Sequence, residues 1–240
     1  MISIIIPTLN EEKIIEKTLT LLRGLTNFEY EVIVSDGKSK DKTIEISKKY
    51  ANKVVIYEGK ERQTISMGRN LGVSAASGDI LLFIDADIVI PNINNFFKET
   101  LSYFKNNPEC VALTVPLKVF PEMETFWDKI FYGLINKLTV LYNNILHTGG
   151  DAGEFQMIKK NAFDKVGGFN EKLAAGEDFE MFAKVAKIGK VRTLTKLFVY
   201  HTGRRPHKVG WKKVLYSWLM NSVYAIFFKK SWSKTWDEVR

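Results

Sequence analysis

A chain of 240 residues with 45% hydrophobic content can bury a substantial core, and its length predicts one large domain, or one domain with an extension. Nine Lys or Arg against two acids fall in residues 204–240, whereas residues 1–203 carry 26 basic against 25 acidic side chains; this excludes a generally basic protein and predicts a local anionic partner for the tail. The single Cys110 has no partner for a disulfide or a thiolate metal site, and Met1 leads straight into an apolar run without a leader pattern, so a soluble body in a cytoplasmic setting is expected.

In chain order, Ile2 to Ile6 is continuously apolar and reads as a first strand. Pro7, Thr8, Leu9, Asn10, Glu11 and Glu12 follow it and open a helix expected over 11–25, where free backbone N–H groups favour an anionic or polar ligand. Thr8 or Asn10 capping that helix, with Glu11 and Glu12 complementing its dipole, accounts equally for these residues. Glu31 to Ser35 predicts the second strand. At its end Asp36 can accept hydrogen bonds from a base N–H or a ribose hydroxyl, and Gly37 lets the backbone come close; the plain alternative is a turn with Asp41 as N-cap of a helix over 41–50. A third strand over Lys53 to Tyr57 and a helix over 61–75 follow. In that helix Gly68 and Gly72, four apart, admit close packing, and Arg69 can reach a diphosphate.

Ile80 to Ile84 then runs directly into Asp85-Ala86-Asp87. In an extended backbone, side chains two apart point to one side, so the two carboxylates can converge on one divalent cation or divide between metal and ribose. A helix over 92–106 and a strand over Val111 to Val115 complete an alternation of apolar strands and amphipathic helices. That pattern predicts an α/β, Rossmann-like fold: a mostly parallel central sheet flanked by helices, with its site outside the C-terminal ends of the strands. After Pro116 come a long helix over 122–146, the Gly-rich turn His147 to Asp151, a short strand over Phe155 to Ile158, the Gly167-Gly168 turn, a helix from Glu177, and a last strand over Leu197 to His201. Glu177 and Asp178 either complement that helix's dipole or supply a general base, and Asp151 either binds sugar hydroxyls or is solvated. Residues 1–116 are expected to form a nucleotide-binding half, 117–203 an acceptor half, and 204–240 a basic, aromatic extension of amphipathic helices.

Taken together, these pieces resemble the family 2 glycosyltransferases of GT-A fold over roughly Ile2 to His201. The matches, in order, are Pro7 to Glu11, Asp36-Gly37 with Asp41, Arg69-Asn70, Asp85-Ala86-Asp87, Gly167-Gly168-Phe169 and Glu177-Asp178. The resemblance implies an inverting transfer from a nucleoside diphosphate sugar. It implies donor contacts from Pro7, Thr8, Asn10, Glu11, Asp36, Gly37, Arg69, Asp85 and Ala86, Mn²⁺ or Mg²⁺ at Asp87 with Asp85 and His201, and Asp178 as base beside Glu177. Two departures matter. Ser35 replaces the first acid of the usual pair at the second turn, and no Gln-x-x-Arg-Trp of processive synthases is present, so single-sugar transfer is expected.

A sugar nucleotidyltransferase is the nearest enzyme rival, but Pro7 to Glu12 contains no glycine where such an enzyme carries a phosphate loop. A nucleic-acid-binding module built on the tail is the rival from another class; the neutral body and the carboxylate-rich site argue against it, and no nucleic acid is expected. Val214 to Phe228 is a 15-residue apolar and aromatic stretch between Lys212-Lys213 and Lys229-Lys230. A spanning helix needs about 20 apolar residues, so this one is suited to lying at an anionic membrane surface, extended by Trp127, Phe131 and Tyr132. Packing against the sheet or a dimer interface is its alternative. On the membrane reading the protein is peripheral on the inner face, the acceptor is lipid-linked or anionic, and Arg204, Arg205 and Lys208 receive its phosphate, with Asp151 a further acceptor contact.

Overall fold

The computed structural model describes residues 1–228 and 231–233. Its strands are β1 (Ile2–Thr8), β2 (Tyr30–Asp36), β3 (Lys53–Ile56), β4 (Ile80–Ile84), β5 (Cys110–Thr114), β6 (Leu117–Val119), β7 (Phe155–Lys159), β8 (Lys190–Thr193) and β9 (Val199–His201). Its helices are α1 (Ile15–Leu22), α2 (Thr43–Tyr50), α3 (Ile65–Ser74), α4 (Ile93–Asn106), α5 (Phe126–Val140), α6 (Lys160–Lys165), α7 (Glu177–Val185), α8 (Arg204–Val209) and α9 (Trp211–Phe228), with a π-helical turn at Leu141–Leu146 after α5. The expected architecture is borne out: a seven-stranded sheet in the order β3-β2-β1-β4-β7-β5-β8, with β6 and β9 forming a small parallel ladder.

The strands are apolar on both faces because both faces are covered. Ile2, Ile4 and Ile6 face one buried cluster, with Val32, Val34, Leu82 and Ile84 beside them. Ile5, Ile33, Leu81 and Phe83 face the other. Fully burying one such side chain is worth about 1.5–3 kcal/mol, so the sheet is held mainly by this two-sided burial. Gly72 lets α3 close onto β1, since a Cβ there would stand 2.4 Å from Ile5 Cγ2.

Two features of topology place the site. The chain moves outward from β1 to β3 and then returns to β4 on the other side of β1, so the sheet's switch point lies between β1 and β4, where the ends of parallel strands open a crevice. β7 is antiparallel to β4, pairing Phe155 with Ile84, so the residues leading into β7 arrive beside the end of β4.

Several local expectations differ. Thr8 and Asn10 do not cap the first helix, which begins later, at Ile15: Thr8 Oγ1 donates to Asp36 Oδ2 at 2.8 Å, and Asn10 Oδ1 accepts from Lys40 N at 2.8 Å. Asp41 Oδ1 does accept from Thr43 N, at 3.0 Å. The helix expected over 122–146 starts at Phe126, where Thr125 and Asp128 form a reciprocal capping box, and it widens into the π turn after Val140. Tyr132 is buried and faces the interior, so it does not extend an outer surface. Lys229 and Lys230 lie outside the described residues. No described helix is long and apolar enough to cross a membrane.

Candidate functional site

A cleft of about 530 Å³ opens at the switch point. β4 ends at Ile84, and the chain turns at once: Ile88 N donates to Asp85 O at 3.3 Å, while Thr18 Oγ1 on α1 donates to Ala86 O at 2.6 Å. This turn presents Asp85 and Asp87 to the cleft. Backbone bonds between Val89 and Tyr200, both 2.9 Å, clip the turn to β9, which brings His201 and Thr202 to the same end. Thr202 Oγ1 donates to Asp87 Oδ2, and Arg204 Nε lies 3.5 Å from that oxygen.

Arg69 organises the opposite wall. Its side chain is 2% exposed, and its guanidinium meets Asp178 Oδ1, Glu177 Oε1 at 3.3 Å, Asp85 Oδ1 at 3.6 Å and Gly153 O at 3.0 Å. The helix start at Glu177 is shaped by Gly176 in the left-handed region, φ 83°. Gly153, φ 101°, permits the Asp178 contact, because a Cβ there would stand 2.3 Å from the Asp178 carboxyl carbon. Arg69, expected to reach a diphosphate, is here engaged by three carboxylates and the Gly153 carbonyl.

The carboxyls around this wall are crowded. Burial, with Asp87 and Asp178 adding and Arg69 opposing, pushes Asp85 up to about 6. Burial pushes Asp151 up to about 7, with the charge of Asp178 adding and hydrogen bonds from Thr114, Gly153 and Gln156 opposing. Glu154 is held well above the usual range by burial and by Asp85, Asp151 and Asp178, and its Oε2 has no hydrogen-bond partner. Burial and the neighbouring Asp178 also raise Glu177, against Arg69.

At the β9 end of the cleft, His201 is buried. Its Nδ1 accepts from Gly203 N at 3.3 Å, its ring lies edge-on to Tyr132 at 4.6 Å, and its Nε2 has no hydrogen-bond partner. Burial lowers its pKa to about 4, so the imidazole is neutral at physiological pH. Among the described residues, no three His, Cys, Asp or Glu side chains form a metal cluster by themselves. Two carboxylates fit a cation such as Mn²⁺ or Mg²⁺ where ligand oxygens complete its shell, and His201 joins them through Nε2 only in the tautomer that carries the ring proton on Nδ1 and gives up the Gly203 bond.

Of the residues singled out from sequence, Pro7, Thr8, Glu11, Gly37, Arg69, Asp85, Ala86, Asp87, Asp151, Glu177, Asp178, His201, Arg204 and Arg205 line this one cleft. Asn10 and Asp36 do not. Asp36 is fully buried and accepts from Thr8 Oγ1, Ser39 N and Ser39 Oγ, which engages its carboxylate behind the cleft-lining Thr8. Arg204 forks onto Glu11, at 2.7 and 2.9 Å, so two residues expected to take different ligands are paired with each other. The tail packs inward at its start: His207 Nε2 lies 2.6 Å from Asp128 Oδ2, and Trp211 Nε1 donates to Asp128 Oδ1 at 2.9 Å. Sequence reasoning missed Glu154, Tyr132 and Trp218 as lining residues. Only Glu154 carried a signal, as an acid directly before an apolar strand.

The profile of "Glycosyl transferase family 2" matches residues 3–167. An "Uncharacterized glycosyltransferase" of Haemophilus influenzae is 27% identical over 186 residues, covering 77% of this chain and 62% of that protein. A "Poly(ribitol-phosphate) beta-glucosyltransferase" of Bacillus spizizenii is 31% identical over 216 residues, covering 79% and 33%. This chain therefore spans less than two thirds of the length of these relatives. Among solved structures, a mannosyltransferase of Pyrobaculum calidifontis in complex with GDP-Man and Mn²⁺ superposes with a TM-score of 0.73 at 21% identity, covering 96% of this chain and 65% of the other. TarS of S. aureus in complex with UDP-GlcNAc gives 0.64 at 22% identity, covering 83% and 58%. These superpositions establish the GT-A fold.

Proposed function

The chain belongs to glycosyl transferase family 2, and on that premise we propose that it moves a single sugar, with inversion and with the help of Mn²⁺ or Mg²⁺, from a nucleoside diphosphate sugar to an acceptor hydroxyl or lipid phosphate. The observation that carries this reading is Arg69: one buried guanidinium spans Asp85 on the donor side and Asp178 on the acceptor side, within a cleft of substrate size. Relatives at this level of likeness are crystallised with GDP-Man and Mn²⁺ or with UDP-GlcNAc, which supports a nucleotide-sugar donor and a divalent cation for this chain too.

In the proposed reaction Asp85, Asp87 and His201 would hold the cation. A divalent ion supplies Lewis-acid stabilisation of the charge that develops on a departing diphosphate. The chain's own residues do the rest. Gly37 and the Pro7–Thr8 edge leave room for the nucleoside, with Arg62 and Gln63 beside them in the wall. Asp151 and Glu154 lie where sugar hydroxyls would sit, and burial, with Asp85, Asp151 and Asp178 beside it, shifts the Glu154 carboxyl toward its neutral form. Asp178, fixed by Arg69, takes the proton of an attacking hydroxyl as its oxygen bonds to the anomeric carbon and the bond to the diphosphate breaks. Such base help is worth about 10²- to 10⁴-fold. Arg205 and the Arg204–Glu11 pair stand at the mouth, where an anionic acceptor would arrive. Lys208, Lys212 and Lys213, exposed nearby, support action at an anionic membrane surface.

The test is a thermal-shift panel of nucleotide sugars with and without Mn²⁺. A shift for one base and one sugar, present only with the cation, is the expected outcome. A shift for nucleoside triphosphate alone would favour nucleotidyl transfer, and one for oligonucleotide alone a nucleic-acid module.

A further inference from the structure

The outer face of α5 is apolar along its whole length. Phe126, Ile130, Leu134 and Leu138 recur every four residues and are 70%, 42%, 52% and 39% exposed. On an α-helix that spacing puts neighbours in contact along a slanting stripe about 18 Å long, which winds by about 120° from Phe126 to Leu138. The π turn continues it with Ile145 and Leu146, 65% and 52% exposed. Contiguous exposed apolar surface of this extent marks an interaction site, because scattered single residues would suffice for an ordinary surface.

Charge decides what the stripe meets. On α5 the one acid, Asp128, is fully buried under His207 and Trp211, so the charges it exposes are Lys129 and Lys137, with Lys129 3.5 Å from Glu124 before the helix. Two copies packed stripe to stripe about a twofold axis would bring Lys129 and Lys137 of both copies together, and the nearby acids, Glu122 and Glu124, lie before the helix, with Glu124 already on Lys129. An anionic bilayer answers both features at once: acyl chains take the stripe, and lysines on long stems reach the headgroups. The inner face of the same helix lines the cleft through Tyr132, Ile135 and Leu138, and Leu138 is common to both faces.

We propose that the outer face of α5 and the π turn is the surface on which this protein lies in an anionic bilayer, α5 parallel to the membrane plane, with the cleft opening beside the lipid at Leu138. This deepens the glycosyl-transfer reading by naming the seat from which a lipid-borne acceptor would be met; the seat stands on surface features alone, so the two can fail separately.

The experiment is flotation with vesicles of phosphatidylcholine alone or mixed with phosphatidylglycerol, using the full chain, F126Q/I130Q/L134Q and K129Q/K137Q. Sedimentation equilibrium and the donor thermal shift with Mn²⁺ are measured on each. The full chain should float with the anionic vesicles, the triple variant should lose at least about tenfold in partitioning, and the lysine variant should lose the preference for anionic lipid. Donor shifts should be unchanged in all three. Undiminished flotation of the triple variant, no flotation of the full chain, or a dimer in solution that the triple variant dissolves would each overturn the seat. A full chain that floats as expected but shows no donor shift would instead count against the transferase reading.

Discussion

At Arg69 a fully buried cation meets Asp85, Glu177 and Asp178, and removing it leaves those carboxyls uncompensated. Arg69→Met should therefore cost about 3–5 kcal/mol in urea unfolding, far above the usual surface substitution. A cost below about 1 kcal/mol would mean that the carboxyls are neutralised by protons and the pair is incidental. Asp178→Asn keeps shape and removes basicity, so turnover should fall by about 10²-fold or more while donor affinity persists; near-normal turnover would move the base role to Glu177. Asp151 titrates in the opposite sense from a salt-bridged acid. Its folded value of about 7 lies above its ordinary 3.8, so the stability its protonated form contributes is complete below 3.8 and is lost as pH rises through 7. Asp151→Asn should accordingly raise the Tm by about 3 °C or more at pH 8 and leave it unchanged at pH 4. Equal effects at the two pH values would refute the assignment.

At the scale of elements, the strands were legible where they are apolar on both faces, as in Ile2 to Ile6 and Ile80 to Ile84, since only a covered sheet tolerates such runs. β6, β8, α6 and α8 escaped because they are short and interrupted by charged residues, whereas the equally short β3 and β9 were legible from their apolar runs. The antiparallel direction of β7 was not legible either: it is set by pairing with β4 across the molecule, and local pattern carries no direction. The Gly68/Gly72 spacing was read correctly as a close-packing signal. Gly72→Ala drives a methyl against Ile5 Cγ2 and should destabilise by about 1–3 kcal/mol without altering donor affinity. A neutral effect on urea unfolding would show that α3 can lift from β1 freely.

Over the whole molecule, the positions after strands converge because topology makes them converge: the ends of β1 and β4, the lead into β7 and the end of β9 all open on one cleft. The alternation of strands and helices carried the part of this that parallel strand ends supply, whereas the lead into β7 joins them only because β7 runs antiparallel to β4. What was not readable is how charges pair once brought together. Arg69 and Arg204, read as ligand contacts, answer Asp178 and Glu11 instead, and Asp36 is consumed inside its own turn by Thr8 and Ser39. Such pairings depend on separations of a few ångströms between residues more than a hundred positions apart, as for Arg69 and Asp178. The same limit hid Tyr132 and Trp218, which reach the cleft from α5 and α9 by packing.

In the proposed site Asp87, with Asp85 and His201, would hold a divalent cation together with a nucleoside diphosphate sugar. Electron paramagnetic resonance of free Mn²⁺ tests it directly, by titrating the protein and Asp87→Ala with the donor selected by thermal shift. The unaltered chain should remove free Mn²⁺ signal only when donor is present, and Asp87→Ala, though folded, should remove none beyond what the donor alone takes up. Uptake by Asp87→Ala equal to that of the unaltered chain would contradict it.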